Sequence, residues 1–218
     1  MPFRILKDGQ KFKRWSWIEY QYTTSKDDRR RESQKVDPES IVVKNKLKES
    51  DRAKILNPLI RNSFTEATER KESLTLLRPK SLELKYEKKS EYELNQERIK
   101  HKELADQLSF FGESAKPLEP CPVQFFVDWS DQDGKARKHE CDDWETSSAY
   151  FRFEKGYGHE KAIKIIKTKY EEEYFSKGLV LAFSTHSRRN VEYGIENQWL
   201  LVGIIRLDEH DQTDLFLR

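Results

Sequence analysis

The run His139-Glu140-Cys141-Asp142-Asp143-Trp144-Glu145 gathers acid, imidazole and thiol groups into seven consecutive positions. Carboxylates this close can hold a divalent cation for phosphodiester cleavage, and a histidine nearby can serve as base or ligand. His186 stands at the end of an apolar stretch that reads as a strand, so His139, Asp143, Glu145 and His186, with Asp142 beside them, form the candidate catalytic set of a metal-assisted nuclease. The divalent metal of that reading is the only cofactor the sequence suggests. The same residues also fit a plainer arrangement, in which Asp142 or Asp143 caps a helix, Glu145 occupies its first turn and Trp144 packs inside. A paired acid followed by Glu-x-Lys, which would favour the nuclease, does not occur. Cys121 and Cys141 lack a disulfide or zinc-finger pattern and read as reduced thiols.

Binding chemistry is concentrated elsewhere. Gln107-Leu108-Ser109-Phe110-Phe111 follows the Gln-Leu-Ser/Asp-Leu-Phe pattern of peptides that dock on the bacterial DNA sliding clamp, and Gln212-Thr213-Asp214-Leu215-Phe216 is a near match. In such a peptide the glutamine amide satisfies backbone groups at a pocket mouth while the last apolar pair fills the cavity as an anchor. Gln107, Leu108, Phe110, Phe111, Gln212, Leu215 and Phe216 are therefore the candidate partner-binding residues. The alternative for the first motif is the apolar end of a helix packed on its own domain.

Two further stretches suit nucleic acid. Lys11, Lys13 and Arg14 interleave with Trp15, Trp17, Tyr20 and Tyr22, the mixture with which strand platforms stack bases while cations follow the backbone. On a strand, Trp15 and Trp17 share a face and serve either as core or as platform. Arg188 and Arg189 follow Ser184-Thr185-His186-Ser187 directly after an apolar strand, where guanidinium groups can grip phosphate. They fit equally well a solvated loop pairing with Glu171, Glu172 and Glu173.

These side chains need a scaffold, and the 218 residues imply an α+β one. With 37% charged and 35% hydrophobic residues the surface must be dense in ions, and the net charge of +2 conceals a basic excess over residues 1–48. Residues 1–111 read as a small β-rich and helical part. It has strands near 11–20, 41–43 and 82–86, a helix near 51–70 interrupted at Pro58, and an exposed helix over 91–108. Residues 112–122, with Pro117, Pro120 and Pro122, read as a linker. Residues 123–208 read as a C-terminal α+β domain, followed by a tail over 209–218. Its elements are a hairpin turning at Asp131-Gln132-Asp133-Gly134, helices near 143–156 and 159–176, and two central strands, 179–183 and 199–205. No apolar run is long enough to span a membrane and no export leader is visible, so a cytoplasmic protein is expected. Gly-rich phosphate loops, Ser/His/Asp sets and dinucleotide fingerprints are missing, which disfavours ATP hydrolysis and redox chemistry.

The landmarks Pro2-Phe3-Arg4, Trp17-Ile18-Glu19, Gln107 to Phe111, Pro117-Leu118-Glu119, Asp143-Trp144-Glu145, Ser184-Thr185-His186 and Trp199-Leu200-Leu201-Val202-Gly203 resemble those of an uncharacterised bacterial two-domain family. The resemblance covers most of the chain and implies no established activity. It implies further strands before Pro2-Phe3-Arg4, so that this chain is a shortened form with an incomplete N-terminal barrel. Relatives often carry paired cysteines in the hairpin before Asp-Trp-Glu; Trp129 to His139 has none, which disfavours a structural zinc. The function these observations favour is a nucleic-acid-associated protein of DNA metabolism or defence, recruited by the sliding clamp. A metal-assisted nuclease and a non-enzymatic interaction module are the alternatives.

Overall fold

A computed structural model describes residues 6–26, 28, 30, 32–109, 116–185 and 198–208, with backbone alone for 107–109. The chain is α+β and divides into two compact units, Met1–Asp51 with Lys89–Pro122, and Arg52–Lys88 with Val123–Arg218.

In the first unit, β1 (Ser16–Glu19) pairs with β4 (Val42–Lys46), and β2 (Tyr22–Thr24) with β3 (Gln34–Val36), as two separate antiparallel ribbons rather than a barrel. The strand expected over residues 11–20 is cut short at its start. Trp15 takes a left-handed φ of 69° in a turn closed by Ser16 N–H donating to the Lys13 carbonyl at 3.1 Å, so pairing begins only at Ser16. The charged stretch 25–39 contains β3 and the start of a 3-10 turn, Pro38–Ser40, capped by Asp37. Helix α3 (Glu91–Ser109) starts with Ser90, whose hydroxyl accepts from the Glu93 N–H while the Glu93 carboxylate takes the Ser90 N–H, a reciprocal capping pair. The Pro-rich segment after it is tied back to this helix: Arg98 bridges to Glu119 at 2.7 Å, and the Leu118 carbonyl lies 2.8 Å from His101 Nδ1.

The second unit is built on two sheets, ordered β11-β10-β6-β5 and β7-β8-β9. Their strands are β5 (Ile60–Arg61), β6 (Leu74–Leu77), β7 (Ser81–Lys88), β8 (Val123–Ser130), β9 (Ala136–Glu140), β10 (Leu179–Thr185) and β11 (Trp199–Arg206). A parallel bridge between Cys141 and Leu201 joins the sheets. The helix expected over 51–70 is two short ones, α1 (Glu49–Leu56) and α2 (Phe64–Glu69), because Pro58 opens a 3-10 turn and Ile60-Arg61 joins the sheet. Strand β10 is buried on both faces: Val180 and Ala182 pack with Ala53, Leu76 and Leu207, while Phe183 enters an aromatic cluster. In that cluster Phe64 of α2 stacks on Trp199 at 5.1 Å and meets Phe183 edge-on at 4.8 Å, with Trp129 and His139 completing it.

The expected boundary at residue 112 therefore differs from the division in the structure. Residues 52–88 supply β5, β6 and β7 to the sheets that the C-terminal half completes, with β6 beside β10 and β7 beside β8 over its whole length. Leu77 and Leu84, both buried, seal those pairings with apolar area. Strand β6 carries no alternating pattern, and its run Leu74-Thr75-Leu76-Leu77 becomes legible as a strand only beside β10.

Candidate functional site

The acidic run lies where β9 turns into α4 (Trp144–Tyr157). Asp143 is buried and is the helix N-cap: Oδ1 accepts from the Glu145 N–H at 3.0 Å, and Oδ2 accepts from the Ile204 N–H at 3.2 Å. Both oxygens are thus committed to backbone donors, one on its own helix and one on β11. Thr146 Oγ1 stands 3.4 Å from Asp143 Oδ2, 3.8 Å from Cys141 Sγ and 2.9 Å from the Tyr170 hydroxyl, all of them buried. Desolvation pushes the Cys141 thiol up to about 12 and raises the Tyr170 hydroxyl as well, so neither ionises near neutrality. A polar lock between the end of β9, α4, β11 and the helical stretch Thr168–Tyr174 that carries Tyr170 is what this geometry provides.

His139 is buried in the aromatic cluster, and its Nδ1 accepts the Trp129 indole N–H at 2.9 Å. Its ring is therefore spent on packing, while Asp142 and Glu145 are exposed. Among the described residues no three His, Cys, Asp or Glu side chains come together as metal ligands. His186 lies outside the described residues, as do Arg188 and Arg189. Trp144, expected in the core, is 52% exposed because α4 buries the opposite face through Thr146, Ala149 and Tyr150.

Of the first docking motif, Gln107, Leu108 and Ser109 continue α3 as helix, and Phe110 and Phe111 lie outside the described residues. The second motif, with Gln212, Leu215 and Phe216, lies outside them as well.

The N-terminal ribbons present a different surface. Strand β1 alternates half-buried Ser16 and Ile18 with exposed Trp17 and Glu19. Register places Ile18 opposite Val43 and Glu19 opposite Val42, so Trp17, Glu19, Val42 and Lys44 share the outward face. Lys44 reaches Glu19 at 3.0 Å. Trp17 is 54% exposed and Tyr22 is 55% exposed, while the Tyr20 and Tyr22 rings sit 6.1 Å apart at 59°. The Tyr20 hydroxyl holds the Gln34 side chain at 2.7 Å across the β2–β3 ribbon. Lys11, Lys13 and Arg14 are exposed before β1, with Lys11 paired to Asp8 at 2.7 Å. Trp15 is half-buried and does not share the outward face of Trp17, since the turn at Lys13–Ser16 takes it out of the strand. Arg30 of the triple-arginine run is bonded to Asp28, and this contact with Ser33 holds the Asp28 carboxyl well below the usual range.

Residues 62–218, which span α2, both sheets apart from β5, and the α4 lock, match a family model described as Domain of unknown function (DUF8757). The chain belongs to this family. Residues 1–62, carrying the two ribbons, match a second model, Domain of unknown function (DUF8758). No curated protein and no solved structure matches the chain. The DUF8757 region begins within the second compact unit, just before Ser63, the N-cap of α2, and so holds all five rings of the aromatic cluster. No helix among its described residues is long and apolar enough to cross a membrane.

Proposed function

We propose that the protein is a nucleic-acid-associated factor of DNA metabolism, and that the ribbons of its DUF8758 region hold a single strand. The observation that carries this reading is the outward presentation of Trp17 on β1 and Tyr22 on β2, with exposed Tyr20 on the link between them, next to Lys11, Lys13, Arg14 and Lys44. A half-exposed tryptophan held on a strand offers an apolar face to a base at little ordering cost, and flanking cations meet the phosphates. Stacking is sequence-tolerant, which suits a protein that follows DNA rather than reads it.

Recruitment by the sliding clamp through Gln107 to Phe111 belongs to the same reading. Docking in the extended form requires the last turn of α3 to unwind, a small cost at a helix C-terminus, where the last carbonyls already lack intrahelical partners. The carboxylate of Asp143 already accepts two backbone N–H groups, which disfavours the nuclease alternative.

Fluorescence anisotropy with a labelled oligothymidine at several salt concentrations tests the strand surface. Trp17→Ala and Tyr22→Ala are expected to weaken binding by about 1–3 kcal/mol each, the usual worth of one stacked base. Equal affinities of these variants and the parent would overturn the assignment. Retention on immobilised clamp, compared between the parent and a Gln107→Ala, Phe111→Ala variant, tests recruitment; equal retention removes it.

A further inference from the structure

Helix α4 carries a second exposed aromatic surface. Its buried side is Thr146, Ala149 and Tyr150. With about 3.6 residues per turn, Trp144, Ser148, Phe151 and Lys155 form one line on the opposite side. Trp144 is 52% exposed and Phe151 36%, so this side of α4 lies open to solvent. Glu145 and Arg152 flank the line on the same edge, both exposed, with the acid in the first turn and the base near the last.

We propose that α4 is the contact surface of a homodimer, packed antiparallel against α4 of a second copy about a two-fold axis between Ser148 and Phe151. A two-fold interface must be complementary to itself, and this surface is. Reversing the helix direction sets the large Phe151 ring opposite the small Ser148 of the second copy, on both sides of the axis. The same operation lays the Lys155 stem along the Trp144 ring, a cation–π arrangement with apolar cover. It also brings Glu145 within about one helical turn of Arg152 of the second copy, twice, on the flank that a two-fold axis maps onto itself. In a parallel two-fold arrangement the charged edges of the two copies fall on opposite sides of the seam, so Glu145 and Arg152 find no counterpart. Shape and charge therefore select the second copy, antiparallel, over an unrelated acidic or basic partner.

Sedimentation velocity on the full chain over a concentration series reads the association directly. The parent is expected to show a concentration-dependent dimer, and Glu145→Lys and Arg152→Glu should each weaken it by about tenfold or more, because like charges then meet at two contacts. An equimolar mixture of the two variants should associate again, since one contact then pairs Lys at position 145 with Glu at position 152 and the other keeps the original Glu145–Arg152 pair. Circular dichroism of each variant, matching that of the parent, shows that the substitutions leave the fold intact. A parent that stays monomeric, a dimer indifferent to both substitutions, or variants that fail to associate when mixed would each overturn the proposal. Loss of oligonucleotide binding by Arg152→Glu without a change in mass would also overturn it and assign this face to nucleic acid.

Discussion

Cys141 illustrates how a residue that could do chemistry is used for structure instead. Cys141 is bridged to Leu201 of β11, its thiol has Thr146 as neighbour, and burial holds it protonated up to about 12. In the unfolded chain the thiol ionises near 9, so between these values the unfolded state binds fewer protons than the folded one and stability falls as pH rises. Below 9 both states are protonated and the contribution is flat. Urea midpoints measured from pH 8 to 11 should therefore decline, and Cys141→Ala should remove the part that sets in near 9. A decline identical in the two proteins would place its origin elsewhere. Tyr170, raised for the same reason, adds to the fall at higher pH. A helix cap at Asp142 or Asp143 was legible from sequence, and Asp143 fills the role. Its second bond, to Ile204, was not, because it links positions far apart in the chain. His139 was misleading for a related reason: a histidine beside acids suggests a ligand set, but strand alternation turns it inward to Trp129, away from exposed Glu140.

At the scale of elements, the junction between α4 and α5 (His159–Lys167) depends on Gly158. It sits at φ 79° and ψ 167°, ends α4 by donating its N–H to the Glu154 carbonyl at 2.8 Å, and accepts the Ala162 N–H to open α5. A Cβ there would touch nothing within 4 Å, so the penalty of substitution is conformational alone. Gly158→Ala should cost about 1–3 kcal/mol in denaturant unfolding, as this backbone region is nearly exclusive to glycine. After α5 the helix widens into a π-helical stretch, Thr168–Tyr174, before a last turn, α6 (Phe175–Gly178). Glu171 in that stretch accepts the Leu84 N–H of β7 at 2.7 Å, which occupies a donor on what is, among the described residues, the edge of the β7-β8-β9 sheet. Glu171→Ala should lower stability by about 1.5–3 kcal/mol, the usual worth of a hydrogen bond to a charged group, and Glu171→Gln should recover part of it. Helical periodicity gave away α4 and α5, and the interruption at Pro58 was visible as well. The widening at 168–174 has no pattern of its own; it follows from Tyr170 reaching the Thr146 hydroxyl while Glu171 reaches β7.

For the whole molecule, the path of the chain matters more than the order of its segments. Strands β7 and β8 are neighbours in register from Ser81 opposite Ser130 to Lys88 opposite Val123, and the Lys89 N–H still donates to the Pro122 carbonyl at 3.0 Å. Residues 90–121, with α3 and the proline segment, are therefore an insertion into the end of a hairpin rather than a link between an N-terminal and a C-terminal half. Prolines at 117, 120 and 122 read as a boundary in sequence because local chemistry shows where regular structure stops, and says nothing of whether the strands on either side pair with each other. The consequence can be tested by dissection. A fragment beginning at residue 123 lacks β6 and β7 and the side chains of Phe64, Leu77 and Leu84, so it should give neither a cooperative thermal transition nor dispersed amide resonances. Replacing residues 90–121 of the full chain by Asn-Gly, with Pro122→Thr so that position 122 can donate the turn-closing N–H, closes the same hairpin with a type I′ turn and leaves both sheets their full set of strands. That protein should retain a cooperative unfolding transition and the near-ultraviolet signature of the Trp129, Trp199 and Phe64 cluster. If the residue-123 fragment folded and the Asn-Gly variant did not, the insertion would have to supply part of the core, and the pairing of β7 with β8 would not explain why residues 52–88 belong with the C-terminal strands.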